Sequence, residues 1–301
     1  MKDNNSLIFS PSKNGTISMN DEEYSQLRDL IHSYCGIYFD PNAKYLFERR
    51  LTQQLKNNQL FSFKDYLLFL KFDVKRKEEM DTIVDLLTTN ETYFFREDYQ
   101  LRAFSEEIVP DIKQRPEKRR EKILRVWSAG CSTGEEPYTI AIIIKEMQLL
   151  PDWRVEILAS DISQRVLLVA RKGIYPKASF RAMEEATMRK YFDPLPEGKY
   201  RIKDEVRSMV NFAHLNIVDS FKVTLLEKMD VIFCRNVLIY FDLQAKKGVL
   251  QSFYNRLMDG GYLLLGHAES LMNVTTYFHL KHLKNDLVYQ KPVRPRMDGM
   301  P

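Results

Sequence analysis

Apolar and polar positions divide the chain into two stretches of different texture. From Asp21 onward, Leu27, Leu30, Ile31 and Tyr34 recur at helical spacing. Asn20 suits the N-cap, Glu22 and Glu23 the first turn, and Gly36 the stop. A second helix is expected to begin near Pro41. Phe47, Leu51 and Leu55 form its apolar stripe, with Tyr45, Arg49, Gln53 and Lys56 near the opposite face. A third follows Ser62 and carries Tyr66, Leu67, Leu70 and Phe72, and a fourth covers Lys77 to Leu87. Residues 20–88 thus read as an all-helical domain, with a polar flexible tail over 1–19 and an interdomain linker over 89–97.

Beyond the linker the periodicity alternates between two and 3.6, which predicts a parallel sheet covered by helices over residues 98–292. Strands are expected at Ile123–Ser128, Val155–Ser160, Val210–Leu215, Asp230–Cys234 and Gly261–Gly266, with helices at Glu135–Leu149, Ser163–Arg171 and Leu243–Met258. Phe278–Leu283 and Leu287–Gln290, joined by Lys284-Asn285-Asp286, read as a hairpin that ends the sheet in an antiparallel pair. Residues 173–209 break the alternation. Pro176, Pro194, Pro196 and Gly198 surround a short helical run at Met183–Tyr191, and the segment reads as an inserted subdomain. Lys113 to Lys122 is dense in Lys and Arg and reads as an exposed loop. A flexible tail is expected over 293–301.

Composition narrows the function. The chain has 301 residues, an apolar fraction of 44% and a formal net charge of +4, so nucleic-acid binding is not demanded. Three widely spaced cysteines without a CxxC fit a reduced cytoplasmic protein with no structural zinc. The polar start lacks an apolar h-region, so no signal peptide is expected. Without about 18 uninterrupted apolar residues, no membrane insertion is expected.

The richest motif runs Val126-Trp127-Ser128-Ala129-Gly130-Cys131-Ser132-Thr133-Gly134-Glu135-Glu136-Pro137-Tyr138. A strand meets a small-residue turn and a new helix, so Gly130 and Gly134 would let backbone approach a ligand near free N–H groups. Alone this marks a nucleotide-type crevice or an ordinary tight turn. Asp161, closing the next strand, can accept from both ribose hydroxyls or cap the next helix. Glu135 and Glu136 would repel a pyrophosphate and attract a sulfonium or ammonium, which favours S-adenosylmethionine over NAD. Alternatively they only stabilise the helix start. The fourth strand leads into Arg235, Asn236 and Tyr240 at the crevice, and no Asn/Asp-Pro-Pro-aromatic motif of amino-methylating nucleic-acid enzymes occurs there.

Together TTNETYFFRE (88–97), WSAGCSTGEEPY (127–138), ASDIS (159–163), HLNI (214–217), FCRNVLIYFD (233–242) and GGYLLLGHAES (260–270) resemble the chemotaxis receptor glutamate O-methyltransferases. The resemblance runs in order over Met19 to Lys291. It implies a Rossmann-like, S-adenosylmethionine-dependent α/β domain with an inserted β subdomain, preceded by an all-α domain. It implies that Asn90, Thr92 and Arg96 close over the cofactor beside Gly130. Glu136 and Asp161 would hold its polar groups, Asn216 and Ile217 would contact adenine, and Arg235 and Asn236 would line the methionine end. Arg96 and Tyr240 would hold the incoming glutamate. The implied partner is the cytoplasmic domain of methyl-accepting chemotaxis receptors, met by Lys44, Arg49, Arg50 and Lys56 on the second helix. That face is otherwise an ordinary solvated surface. The turn Asp193–Lys199 is short and glycine-poor beside the peptide-gripping loop of some members, which suggests a tether-independent enzyme. A monomer is expected. An RNA or small-molecule methyltransferase and a silent cofactor-binding scaffold are the alternatives.

The chemistry agrees with these residue types. A glutamate side chain of ordinary pKa near 4.3 is already an anion at neutral pH. No general base is required, and His32, His214, His267, His279 and His282 can all be structural.

Overall fold

The computed structural model describes residues 16–88, 90–148 and 152–293. The expected tails over 1–15 and 294–301, Thr89 of the linker and the Leu149 end of the first sheet-domain helix lie outside them. The chain separates into two compact units at Thr88.

The first unit is four helices: α1 (Asp21–Cys35), α2 (Lys44–Asn57), α3 (Phe63–Phe72) and α4 (Arg76–Leu87). Asn20 and Glu23 form a reciprocal capping box, and Gly36 ends α1 at φ 73°. Leu27, Ile31, Phe47, Leu51, Leu55, Tyr66 and Ile83 are fully buried and make the core. Two expectations need correction. The second helix starts at Lys44, because Asp40 Oδ1 accepts from Asn42 N at 2.8 Å and holds Pro41–Ala43 in a turn. Residues 17–19 also do not belong to the tail expected over 1–19. Ile17 N donates to Thr52 Oγ1 at 3.0 Å and Met19 N to Glu48 Oε1 at 2.8 Å, and Met19 is buried.

In the second unit a long helical stretch leads to the sheet. It comprises α5 (Asp98–Ala103), a π turn (Phe104–Ile108), α6 (Val109–Gln114) and α7 (Pro116–Glu121). There follow β1 (Ile123–Ala129), α8 (Glu135–Met147), β2 (Arg154–Asp161) and α9 (Gln164–Lys172). The insertion holds β3 (Ile174–Pro176), α10 (Glu185–Tyr191), β4 (Phe192–Leu195), β5 (Lys199–Ile202) and α11 (Asp204–Arg207). Then come β6 (Val210–His214), α12 (Ser220–Thr224), β7 (Met229–Cys234), α13 (Leu243–Arg256), β8 (Leu257–Leu265), β9 (His279–His282) and β10 (Leu287–Gln290).

The main sheet has the order β6-β2-β1-β7-β8-β10-β9, and the insertion forms a separate antiparallel sheet, β3-β5-β4. The expected parallel α/β architecture with an inserted β subdomain is therefore present. β1 pairs in parallel with β2 on one side and β7 on the other. The chain reverses its direction of travel across the sheet between those two neighbours, so a crevice opens at their carboxyl ends. The last strand inserts between β8 and β9, antiparallel to both. Strand β7 is buried throughout and β1 from Val126 to Ala129, because both faces of the sheet are covered there. Phe104 meets Phe233 edge-to-face at 5.3 Å on one of those faces.

The basic run 113–122 is not an exposed loop. It forms the end of α6 and all of α7, and Lys118 is 1% exposed. Its ammonium lies 2.9 Å from the fully buried Asp230 carboxylate and 3.4 Å from the Ile123 carbonyl. A long aliphatic stem lets one lysine of a basic cluster reach inward while its neighbours remain in water.

Candidate active site at the carboxyl edge of the sheet

The turn after β1 is fixed by the end of β2. Gly130 N and Cys131 N both donate to the Ser160 carbonyl, at 2.8 and 2.9 Å. Gly130, Ser132 and Gly134 are all left-handed, at φ 83°, 49° and 95°. The glycines answer to the protein first. A Cβ at Gly130 would meet Val237 Cγ2 at 2.4 Å, and one at Gly134 would meet Ala170 Cβ at 2.8 Å.

Asp161 is 8% exposed. One oxygen accepts from Ser132 N at 2.8 Å and the other from Ser163 N at 2.9 Å. Ser163, not Asp161, caps α9 through Val166 N. Leu215 N donates to the Asp161 carbonyl, which brings Asn216 and Ile217 to the same edge. Asn216 Oδ1 accepts from Val218 N at 3.1 Å, and Ile217 is buried.

The two adjacent glutamates diverge. Glu135 accepts from Thr133 Oγ1 at 2.6 Å and Ser179 Oγ at 3.1 Å, which ties the start of α8 to the insertion. Glu136 points the other way, accepting from Ser128 Oγ at 2.7 Å and lying 3.2 Å from Arg235 Nη1. Burial pushes its carboxyl up, and the Arg235 guanidinium opposes that. Burial also pushes the Cys131 and Cys234 thiols up, so neither offers a thiolate nucleophile at neutral pH.

Arg235 joins three segments. Its Nη2 donates to the Arg96 carbonyl at 2.5 Å and to Glu97 Oε2 at 3.1 Å, while Nη1 meets Glu136. The segment 90–97 is fixed along its length. Ser132 Oγ donates to the Asn90 carbonyl, Phe94 N to the Ser179 carbonyl and Phe95 N to Thr139 Oγ1. Phe94 is fully buried, with Tyr175, Phe180 and Phe192 rings 4.9–5.1 Å away. Arg96 stands between two left-handed residues, Phe95 at φ 58° and Glu97 at φ 56°. Non-glycine residues in that region cost energy and collect at functional sites. Arg96 Nη1 donates to the Glu91 carbonyl at 3.1 Å. The Tyr93 ring lies 5.8 Å from Arg96 and 3.6 Å from Arg181, and Arg181 also pairs with Glu91 at 3.0 Å.

After β7, Asn236 is left-handed at φ 59° and Tyr240 ends a one-turn helix with its side chain partly exposed. Glu269 accepts from Asn236 N, Val237 N, Ile239 N and Gly266 N. Asn236 Oδ1 and Arg235 Nε are buried without a hydrogen-bond partner. One is an acceptor and the other a donor, on consecutive residues. That pair matches the ammonium and carboxylate of an amino-acid group.

The fold therefore gathers Asn90, Arg96, Gly130, Glu136, Asp161, Asn216, Ile217, Arg235, Asn236 and Tyr240 in the segments that border one edge of the sheet. Thr92 lies on the same linker, half-buried. The four basic residues expected to meet a substrate belong to the other unit. There Lys44 pairs with Asp21 at 2.5 Å and Arg50 donates to the Leu86 carbonyl at 2.9 Å. Arg49 and Lys56 are exposed on α2 beside Tyr45 and Gln53. Sequence reasoning missed Glu97 and Glu269. Both are carboxylates within quoted motifs, one directly after Arg96 and one just past the carboxyl end of a strand, and that position was their signal.

A doubly wound sheet whose switch-point edge presents a ribose-competent carboxylate and an amino-acid-competent pair defines a nucleoside-cofactor enzyme of the Rossmann-like class. Residues 90–286 match the family described as CheR methyltransferase, SAM binding domain, and residues 22–88 the CheR methyltransferase, all-alpha domain. The chain is 36% identical to Chemotaxis protein methyltransferase 2 of Vibrio cholerae serotype O1 over 283 residues, 94% of this chain and 97% of that one. It is also 36% identical to the Chemotaxis protein methyltransferase of Borreliella burgdorferi over 260 residues, 86% of this chain and 91% of that one. The crystal structure of N-methyltransferase NodS from Bradyrhizobium japonicum WM9 with S-adenosyl-L-homocysteine superposes with a TM-score of 0.39 at 15% identity, over 69% of this chain and 92% of that one, a likeness too slight to add weight. The chain belongs to the CheR methyltransferase family, and its methyl donor is S-adenosylmethionine. These likenesses favour neither the RNA or small-molecule reading nor the silent scaffold. Among the described residues no helix is long and apolar enough to cross a membrane.

Proposed function

We propose that this methyltransferase esterifies glutamate side chains on the cytoplasmic domain of chemotaxis receptors. What carries this reading is the setting of Arg96. The backbone of Arg96 is held between two strained residues, its carbonyl gripped by Arg235, at the carboxyl edge of the sheet. A cation placed so firmly suits an anionic substrate group.

S-adenosylmethionine, when bound, supplies an electrophilic methyl group on sulfonium. Asp161 offers its carboxylate to the ribose, since each oxygen can accept more than one hydrogen. Asn236 Oδ1 and Arg235 Nε take the amino-acid end, and Asn216 and Ile217 border the base. Asn90 and Thr92, on the linker, close the near side. Glu136 and Glu97 neutralise Arg235, so Arg235 holds the linker without drawing the substrate anion away from Arg96. Arg96 and the Tyr240 hydroxyl orient the substrate carboxylate. Its ordinary pKa leaves it ionised, so alignment and not proton removal is what the protein supplies. Lys44, Arg49, Arg50 and Lys56 on α2 would steer an acidic receptor helix.

The test is transfer of labelled methyl from S-adenosylmethionine to a receptor cytoplasmic fragment. Label released by mild base as methanol is the expected result. Label that survives base treatment would mean N-methylation and reject the reading.

A further inference from the structure

The segment that carries Tyr240 has little regular secondary structure to hold it, and its shape comes from one side chain elsewhere in the sequence. Glu269 lies in a turn after β8, closed by its own N–H donating to the Gly266 carbonyl at 2.8 Å. Its Oε2 accepts from Asn236 N and Gly266 N, both at 2.7 Å, and its Oε1 from Val237 N and Ile239 N, both at 3.1 Å. Successive amides beginning at a left-handed residue form a concave anion site, which proteins commonly use for a ligand. Here the protein's own carboxylate fills it.

The two segments touch backbone to backbone. A Cβ at Gly266 would lie 2.8 Å from Asn236 N and 2.7 Å from its Nδ2. Beyond the last clamped amide, Tyr240 N donates to the Val237 carbonyl and Phe241 N to the Leu238 carbonyl, which completes the short helix. The same turn reaches the other side of the crevice, where His267 N donates to Glu97 Oε2 at 3.3 Å. Arg96 and Tyr240 therefore sit on segments that share one anchor.

We propose that Glu269 is a positioning residue of the methyl transfer: its carboxylate gathers the amides of Asn236, Val237, Ile239 and Gly266 and so sets where Tyr240 presents its hydroxyl and Asn236 its amide. This rests on the role given above to Tyr240. A carboxylate is required by count. Four donors need two oxygens with two acceptor sites each, whereas glutamine would turn an NH2 group against two N–H groups.

The experiment combines hydrogen exchange of the full chain with kinetics on a receptor fragment. Glu269→Gln should raise exchange across residues 235–241 at least tenfold (about 1.4 kcal/mol of local protection) while the β1 and β2 amides stay protected. Its kcat should fall about a hundredfold with KM changed little, as expected when reacting groups are misplaced by an ångström or less. Tyr240→Phe, costly in the wild type, should cost nothing further in the Glu269→Gln background, because an unaimed hydroxyl has nothing left to lose. Unchanged exchange at 235–241, or effects of the two substitutions that multiply, would overturn the proposal. If Glu269→Gln does not fold, Glu269→Asp keeps the charge but withdraws the oxygens by one methylene, and the same two readouts decide. A wild-type chain that forms no base-labile ester would remove the reading of the reaction, and the exchange result would still show whether Glu269 shapes the loop.

Discussion

Arg96 and Arg235 carry the same charge at the same crevice, and their surroundings give them opposite tasks. Arg235 is 7% exposed and faces two carboxylates, so its charge is spent inside the protein. Arg96 approaches a carboxylate only at 3.7 Å, donates to the neutral Glu91 carbonyl and has a side chain 29% exposed, so its charge remains available. Arg96→Ala should therefore lower kcat/KM toward a receptor fragment by about 10- to 100-fold, the worth of a hydrogen bond to a charged group. Calorimetric affinity for S-adenosylhomocysteine should change far less. An Arg96→Ala enzyme with undiminished turnover would remove Arg96 from the mechanism. Arg235→Ala should instead act on the fold, costing about 3–5 kcal/mol by leaving the largely buried Glu136 carboxylate without its cation. Thermal unfolding reads this directly, and an unshifted Tm would show that Arg235 serves only the ligand. At this scale the sequence singled out Asp161, Arg235 and Asn236 because they sit where strands end, and Glu136 because it lies at the start of the helix after the glycine turn. It could not announce that Arg235 is neutralised. Its partners Glu136 and Glu97 lie 99 and 138 residues away, and nothing in the residue type records that distance closing.

The glycine turn between β1 and α8 shows what becomes visible only at the level of elements. Its small residues were legible as a place of close approach. What approaches is the protein itself, since Val237 crowds Gly130 and both Ala170 and Tyr175 crowd Gly134. Gly134→Ala therefore faces a left-handed backbone and a 2.8 Å overlap together, which should destabilise by about 2–4 kcal/mol. Gly198→Ala is the internal control. It too is left-handed, at φ 66°, but a Cβ there meets nothing within 4 Å, so the cost should be about 1–2 kcal/mol. Denaturant unfolding of the two variants separates strain from crowding, and equal losses would refute the crowding. Helix α7 gives a second case. Charge density along 113–122 reads as solvent-facing because most lysines are, and one member of the cluster nevertheless neutralises the buried Asp230 of β7. Lys118→Met should cost about 3–5 kcal/mol, since it orphans a buried carboxylate, and adding Asp230→Leu should recover much of it. In the apolar pattern the inserted sheet was legible only as an interruption, and its β character came from the family resemblance. Its strands are three or four residues long, too short for alternation to register.

For the molecule as a whole, the proposed reaction requires no general base, which makes the pH dependence informative. If the substrate carboxylate alone set the acid limb, turnover would follow an ordinary glutamate near pH 4.3. Two of the enzyme's own carboxylates should intervene first. Burial pushes Glu136 up, against the pull of Arg235 and with a further push from Glu97. Burial also pushes Glu269 up, against the backbone amides it binds. Both therefore take up protons at a higher pH than an exposed glutamate does. Protonating Glu136 loosens Arg235 and the Arg96 carbonyl it holds, and protonating Glu269 surrenders acceptor sites around Tyr240. The sign for stability is opposite to that for activity. Between the ordinary and the raised values the native state binds more protons than the unfolded chain, so these two groups stabilise increasingly as pH falls through that window. Turnover should thus decline on acidification at a pH above the ordinary glutamate value near 4.3, while circular dichroism remains native. The decline should have the same midpoint for different receptor glutamates, because it belongs to the enzyme, and Glu136→Gln should move it. An acid limb that coincides with unfolding, or one that shifts with the substrate glutamate, would show that neither carboxylate governs the geometry of transfer.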